Sequence, residues 1–207
     1  MSEQVRSTKP RAYRMDGRAK RVDATRQRIV EATVELHGSV GPAQTSIVGI
    51  AERAGVTRLT VYRHFPDEDS LYAACSAHWL SQQRVPRPDA WLEITDPNDR
   101  LKVGLADLYR FYRQGESMLV RLMADKASLP DAVRVGLDAR EARFQDVLLG
   151  AFPRRSQTRE LRAVVGHAVS FWTWRSLCIN QGLSNRSAVA AMTKFAKAAG
   201  NANGGTN

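Results

Sequence analysis

Cysteine is scarce in this chain. Its 207 residues include only Cys75 and Cys178, too few for a disulfide framework or a four-ligand zinc site, so a reducing, cytoplasmic location is expected. Long apolar runs are also missing. Nothing approaches the roughly 18 residues of a spanning helix, and the basic N-terminus is not followed by the apolar stretch of a signal peptide. Alternating β-branched runs, the mark of strands, do not occur. Gly-x-Ser-x-Gly, a Gly-rich phosphate loop, His-Glu-x-x-His and Cys/His clusters are absent, and the carboxylates lie scattered near cations at helical spacing. No enzyme activity, metal, cofactor or membrane partner is therefore expected.

Positive charge is what the chain does have. Lys and Arg number 31 against 21 Asp and Glu, a net of +10. Residues 1–22 carry seven cations against Glu3 and Asp16, so half of that excess sits in a short stretch without apolar periodicity. The reading is a mobile, disordered basic arm, either a solvated tail or a tether for phosphate backbone. The remainder, with 43% hydrophobic residues overall, is globular and long enough to enclose a substantial core.

Apolar residues recur at helical spacing throughout, which predicts an all-α fold of about nine helices. The first is expected from Asp23 to about His37, burying Ile29, Thr33 and Leu36, and stopped by Gly38, Gly41 and Pro42. Thr45 or Ser46 caps a short helix, Ile47 to about Arg53; Gly55 breaks it, and a second runs to His64. Asp67, Glu68 and Asp69 open a longer linking helix, where acids suit the positive end of the helix dipole. Residues 84–98, with Pro86, Pro88 and Pro97, read as a break between units. Beyond it lie helices at Asp99–Gln114, Ser117–Lys126, Asp131–Leu149, one continuous multi-sided helix Gln157–Gln181, and a last one capped by Ser184. Residues 200–207 read as a disordered tail.

The most specific pattern lies at 45–66. Ala51, Gly55 and Val61 meet the steric demands of two crossing helices: a small residue at the crossing, a glycine where the turn takes positive φ, and an apolar anchor on the second helix. Ile50, Ala54 and Val56 complete the packing. The side chains left over are Thr57, Arg58, Leu59, Thr60, Tyr62 and Arg63, a surface suited to base edges and phosphate oxygens.

The stretch from Thr45 to Pro66 (TSIVGIAERAGVTRLTVYRHFP), ending with Leu71, resembles the DNA-binding domain of TetR/AcrR-family regulators over about residues 24–71. Phe171–Leu177 and Gly182–Ser184 look like the final helices of one branch of that family. The resemblance implies an N-terminal three-helix DNA-binding domain (23–66) and a C-terminal bundle (67–199) for ligand binding and dimerisation. By the same carry-over, Thr57, Arg58, Leu59 and Thr60 would face the major groove. Tyr62 and His64 would contact phosphate or groove, and Thr45 or Ser46 would contact backbone; Arg63, from the outward surface, is a further DNA-binding candidate. Glu68 departs from the pattern, since many members carry Lys there; the basic arm would compensate.

Trp79, Phe111, Tyr112, Met118, Met123, Phe144, His167 and Trp174 are candidate walls of an effector pocket, with Tyr109, Arg113 and Gln145 as further polar partners. Val165, Trp172, Ile179, Val189 and Met192 are the candidate dimer surface on the last two helices. A redox role for Cys75 is a minor alternative to simple packing. Expected partners are double-stranded DNA with a palindromic operator, a small-molecule effector and a second copy of the chain. The competing readings are a non-specific nucleoid protein using charge alone, and a helical small-molecule binder with no DNA role.

Overall fold

A computed structural model of the chain describes residues 11–201, with side chains over 19–200. Those residues form eleven α-helices and no strand. Of the expected tail 200–207, residues 200–201 belong to the last helix, while 202–207, like arm residues 1–10, lie outside the described range.

Helix α1 (Arg11–Ser39) is 29 residues long and starts twelve residues before the predicted Asp23. Residues 11–22 are thus helical, not an unstructured arm. The absence of an apolar stripe does not by itself exclude a helix. Arg, Lys, Ala and Met are good helix formers, and no proline interrupts them. In its second half α1 buries Ile29, Val30, Ala32 and Thr33, with the Thr33 hydroxyl donating to the Ile29 carbonyl at 2.8 Å.

Four caps then follow in quick order. Ser46 caps α2 (Ile47–Ala54) by accepting from the Gly49 N–H. Gly55 ends α2 in the left-handed region at φ 64°, where a side chain would be strained. Thr57 caps α3 (Arg58–His64), and Asp67 caps α4 (Glu68–Ser81). The Ser70 backbone and hydroxyl groups bonded to Asp67 hold its carboxyl below the usual range. Ile50, Ala51, Ala54, Val61, Phe65, Leu71 and Cys75 close around α1 as a small separate core.

The supposed break at 84–98 is structured. Helix α5 (Pro88–Leu92) buries Trp91, whose indole N–H donates to Asp107 at 3.2 Å. The buried Arg100 guanidinium ties the same segment down through the Ile94, Leu92 and Val147 carbonyls. Helix α6 (Pro97–Gln114) is the spine of the larger core, with Leu101, Leu105, Leu108 and Tyr109 fully enclosed. Around it stand α7 (Glu116–Ala124), α8 (Asp131–Leu149) and α11 (Asn185–Asn201).

The expected helix 157–181 is instead two. Helix α9 (Arg159–Val169) ends at Ser170, α10 (Phe171–Arg175) restarts, and a π-helical turn spans Ser176–Asn180. Tyr109 and Tyr112 donate to the Ala168 and Val169 carbonyls at 2.9 and 2.6 Å. Those carbonyls would otherwise accept from the next helical turn, so two hydroxyls from α6 satisfy the broken end.

Candidate nucleic-acid interface and effector cavity

Helix α3 is sharply two-sided. Val61 is fully buried and Phe65 nearly so, while Leu59 is 70% exposed and Tyr62 53% exposed. Arg58 and Arg63 are exposed beside them, and among the described residues neither makes an ion pair within the chain. Arg53, by contrast, is held by Glu35 of α1, its Nε donating at 2.7 Å. Thr60 and His64 are half-buried. The Thr57 and Thr60 hydroxyls lie 2.9 Å apart, and Thr57 also accepts from the Thr60 N–H. At the start of α2, Thr45 donates inward to the Gly41 carbonyl at 2.8 Å, leaving Ser46 as the exposed hydroxyl of the two. Arg26 of α1 lies 4.7 Å over the Phe65 ring, which fixes the end of α3 against α1.

A cavity of about 520 Å³ opens between α1, α4, α6, α7, α8 and the restart at α10. Of the predicted walls, Trp79, Phe111, Tyr112, Met118, Met123 and Phe144 line it. His167 and Trp174 do not. Trp174 is fully enclosed in the core with its indole N–H on Asn185 at 3.1 Å. His167 is exposed, 3.2 Å from the Thr173 hydroxyl, and borders a smaller surface hollow of about 260 Å³. They flank the break at Ser170, where residues 170–172 and not these two reach the cavity.

The expected polar partners are also elsewhere. Tyr109 is committed to Ala168, Gln145 donates to the Arg162 carbonyl at 2.7 Å, and Arg113 lies 5.3 Å over the Trp174 ring. The polar groups on the cavity wall are His37, Asp69, Ser76, Lys126, Arg140, Glu141 and Ser170. Val34 and His37 bring α1 itself to the wall, a contact that reading α1 as part of a separate unit misses.

Burial sets the protonation of this wall. Desolvation lowers the His37 pKa to about 4 against the opposing pull of Asp125, so the imidazole is neutral near pH 7. Desolvation likewise raises Tyr72 to about 12 and Cys75 to about 11. Cys75 donates to the Tyr72 carbonyl at 3.3 Å and stays a thiol, which weighs against redox chemistry there. Glu141, half-buried, is raised by desolvation despite nearby Lys126.

The candidate dimer surface divides. Val165 is fully buried and Val189 only 8% exposed, both inside the chain's own core, which removes them as surface residues. Trp172 (46%) and Ile179 (38%) face outward, Met192 is half-buried, and Phe195, an apolar residue of the last helix outside the candidate dimer set, is 51% exposed. Trp172 also borders the cavity.

Residues 29–75 match the family described as bacterial regulatory proteins, tetR family. The likeness to that family thus lies in the N-terminal unit. The chain is 35% identical over 80 residues to the HTH-type transcriptional regulator AcrR of Shigella flexneri, a match spanning 38% of this chain and 36% of that one. It is 33% identical over 79 residues to the HTH-type transcriptional regulator BetI of Yersinia pestis, spanning 37% and 40%. These relatives are regulators, not enzymes, and the chain matches about two fifths of their length.

Beyond the matched residues the likeness is one of fold. The TetR-family regulator PfmR of Thermus thermophilus superposes with a TM-score of 0.58 at 20% identity, covering 81% of this chain and 96% of that one. A TetR-like regulator from a Rhodococcus species gives 0.59 at 16% identity, covering 88% and 97%. Among the described residues no helix is long and apolar enough to cross a membrane.

Proposed function

We propose that this protein is a cytoplasmic, ligand-responsive transcription regulator that binds a palindromic operator as a homodimer and acts as a repressor. The observation that carries the reading is the division of α3: Val61 anchors the helix while Arg58, Leu59, Tyr62 and Arg63 stand clear of it. Side chains of that kind on a short, rigidly capped helix suit base edges and phosphate in a major groove. Arg58 and Leu59, with Thr57 and Thr60 beside them, read bases. Tyr62, Arg63, His64 and Ser46 hold phosphate or groove.

Trp172, Ile179 and Phe195 supply an outward apolar face for a second copy, whose recognition helix must sit about 34–36 Å away to reach the next major groove. The cavity, walled largely by aromatic and aliphatic side chains, suits an apolar, ring-containing effector. Effector and DNA oppose one another by a coupling of roughly 1–3 kcal/mol. Selecting bound duplexes from a random pool tests the reading. A palindrome with half-sites one or more helical turns apart is expected, and an unselected pool would favour charge-only binding instead.

A further inference from the structure

The cavity has an exposed end and a buried one. Asp69 and Ala73 on α4 are exposed, as are Ala132, Gly136 and Arg140 on α8, each set repeating on one helix face. A Cβ at Gly136 would meet no atom within 4 Å. The mouth therefore lies between α4 and α8. At the other end Phe111, Tyr112, Phe144 and Phe171 are buried. An occupant places its apolar part among those rings and its polar part toward the mouth.

The charged groups around this space differ in what they already hold. Lys126 is paired with Asp138. Asp69 and Arg140 are exposed and keep their hydration. Asp125 lies off the wall, accepting from the Ala43 N–H at 2.9 Å on the Gly41 turn. Glu141 is different. It is half-buried on the wall, and among the described residues no donor of the chain bonds its carboxylate.

Burial disfavours the ionised form of Glu141 even with Lys126 nearby. A ligand cation beside it offsets that cost, and the faces of the surrounding rings attract the same charge. An anion in that position would be repelled by Glu141. The exposed Arg140 has no burial cost for an anion to relieve, so it does not reverse the preference.

We propose that the cavity takes a ring-containing organic cation, its rings among Phe111, Tyr112 and Phe144 and its positive group against the Glu141 carboxylate. The inference rests on the ligand-responsive reading above and adds the charge that the occupant carries. Glu141 is the specificity residue, favouring a cation over an anion of the same shape.

Tetraphenylphosphonium and tetraphenylborate, alike in shape and opposite in charge, are the first pair of probes. Trimethylnaphthylammonium and naphthalenesulfonate are a smaller pair. Each is titrated calorimetrically into the full-length parent, Glu141→Gln and Glu141→Asp, and thermal melting verifies that the variants fold. Glu141→Gln is expected to weaken the cations about tenfold or more while leaving the anions unchanged or tighter. Glu141→Asp should recover part of the cation affinity.

Equal weakening of cation and anion would assign Glu141 to packing and overturn the proposal. Cation binding that ignores Glu141→Gln, or binding by none of the four probes, overturns it as well. Duplex affinity measured with and without bound cation keeps the two readings apart. A Glu141-dependent cation site whose occupancy leaves duplex affinity unchanged supports the site and overturns the ligand-responsive reading.

Discussion

The Tyr112 hydroxyl donates to the Val169 carbonyl at 2.6 Å, joining residues 57 apart in the chain. With Tyr109 on Ala168, it allows α9 to end inside the core without an unpaired carbonyl. The break at Ser170 in turn brings Ser170, Phe171 and Trp172 to the cavity wall. Tyr112→Phe keeps the ring and removes the donor. It should cost about 1–3 kcal/mol, the penalty of leaving a buried acceptor unmet, seen as a lower urea midpoint. An unchanged midpoint would mean that water or a relaxed helix end replaces the hydroxyl.

The outward apolar face separates two substitutions that the sequence treats alike. Trp172→Glu and Phe195→Glu change exposed side chains, and each should yield folded monomers by sedimentation. Val165→Glu places a carboxylate where no solvent reaches. That chain should lose its cooperative melt instead of dissociating, because a buried unpaired charge costs several kcal/mol. A folded Val165→Glu monomer would contradict the packing of α9.

On α3, Arg58→Ala should cost about 1–3 kcal/mol in duplex binding and relax preference at one operator position. A uniform loss across sequences would instead assign Arg58 to phosphate. Leu59→Ala should weaken the same duplex while moving the melting transition little, since a side chain 70% exposed contributes little to folding. Competition binding against a panel of operator variants distinguishes the outcomes.

His37 makes folding acid-sensitive. Its folded pKa is lowered to about 4 from the ordinary 6.5, so between those values the unfolded chain binds more protons than the native one. Stability is therefore full above about pH 6.5, falls as the pH drops toward 4, and the loss then levels. The total is at most about 3 kcal/mol. Chemical denaturation across that window should show the slope in the parent and lose most of it in His37→Gln. An equal slope in both would assign the acid sensitivity to other groups.

The helix-turn-helix unit is legible in the sequence because its signals are local. Ser46, Gly55, Thr57 and Asp67 each act on backbone within a few residues, and so place the ends of α2, α3 and α4 without knowledge of anything distant. Helix α8 matches its predicted span, Asp131–Leu149, because Pro130 and Gly150 mark its ends in the same local way. The helical start of α1 is not legible by periodicity, since a solvated helix and an unstructured arm both lack an apolar stripe.

The cavity is half legible. Size and spacing assign it six large side chains on α4, α6, α7 and α8, but not His37, Glu141 or the Ser170–Trp172 edge. Their presence on the wall depends on how α1 meets α7 and where α9 breaks.

By itself the amino-acid sequence determined an all-α chain, the capped corner of α2 and α3, and the side chains that corner turns outward, since each follows from covalent neighbours and helical period. Only the tertiary structure decided that Val165 is core and Trp172 surface, that Trp91 and Arg100 pin the 84–98 segment, and that Asp125 sits on the Gly41 turn. Those outcomes are set by which distant groups meet, and a helix with apolar residues on several sides is compatible with more than one way of meeting them.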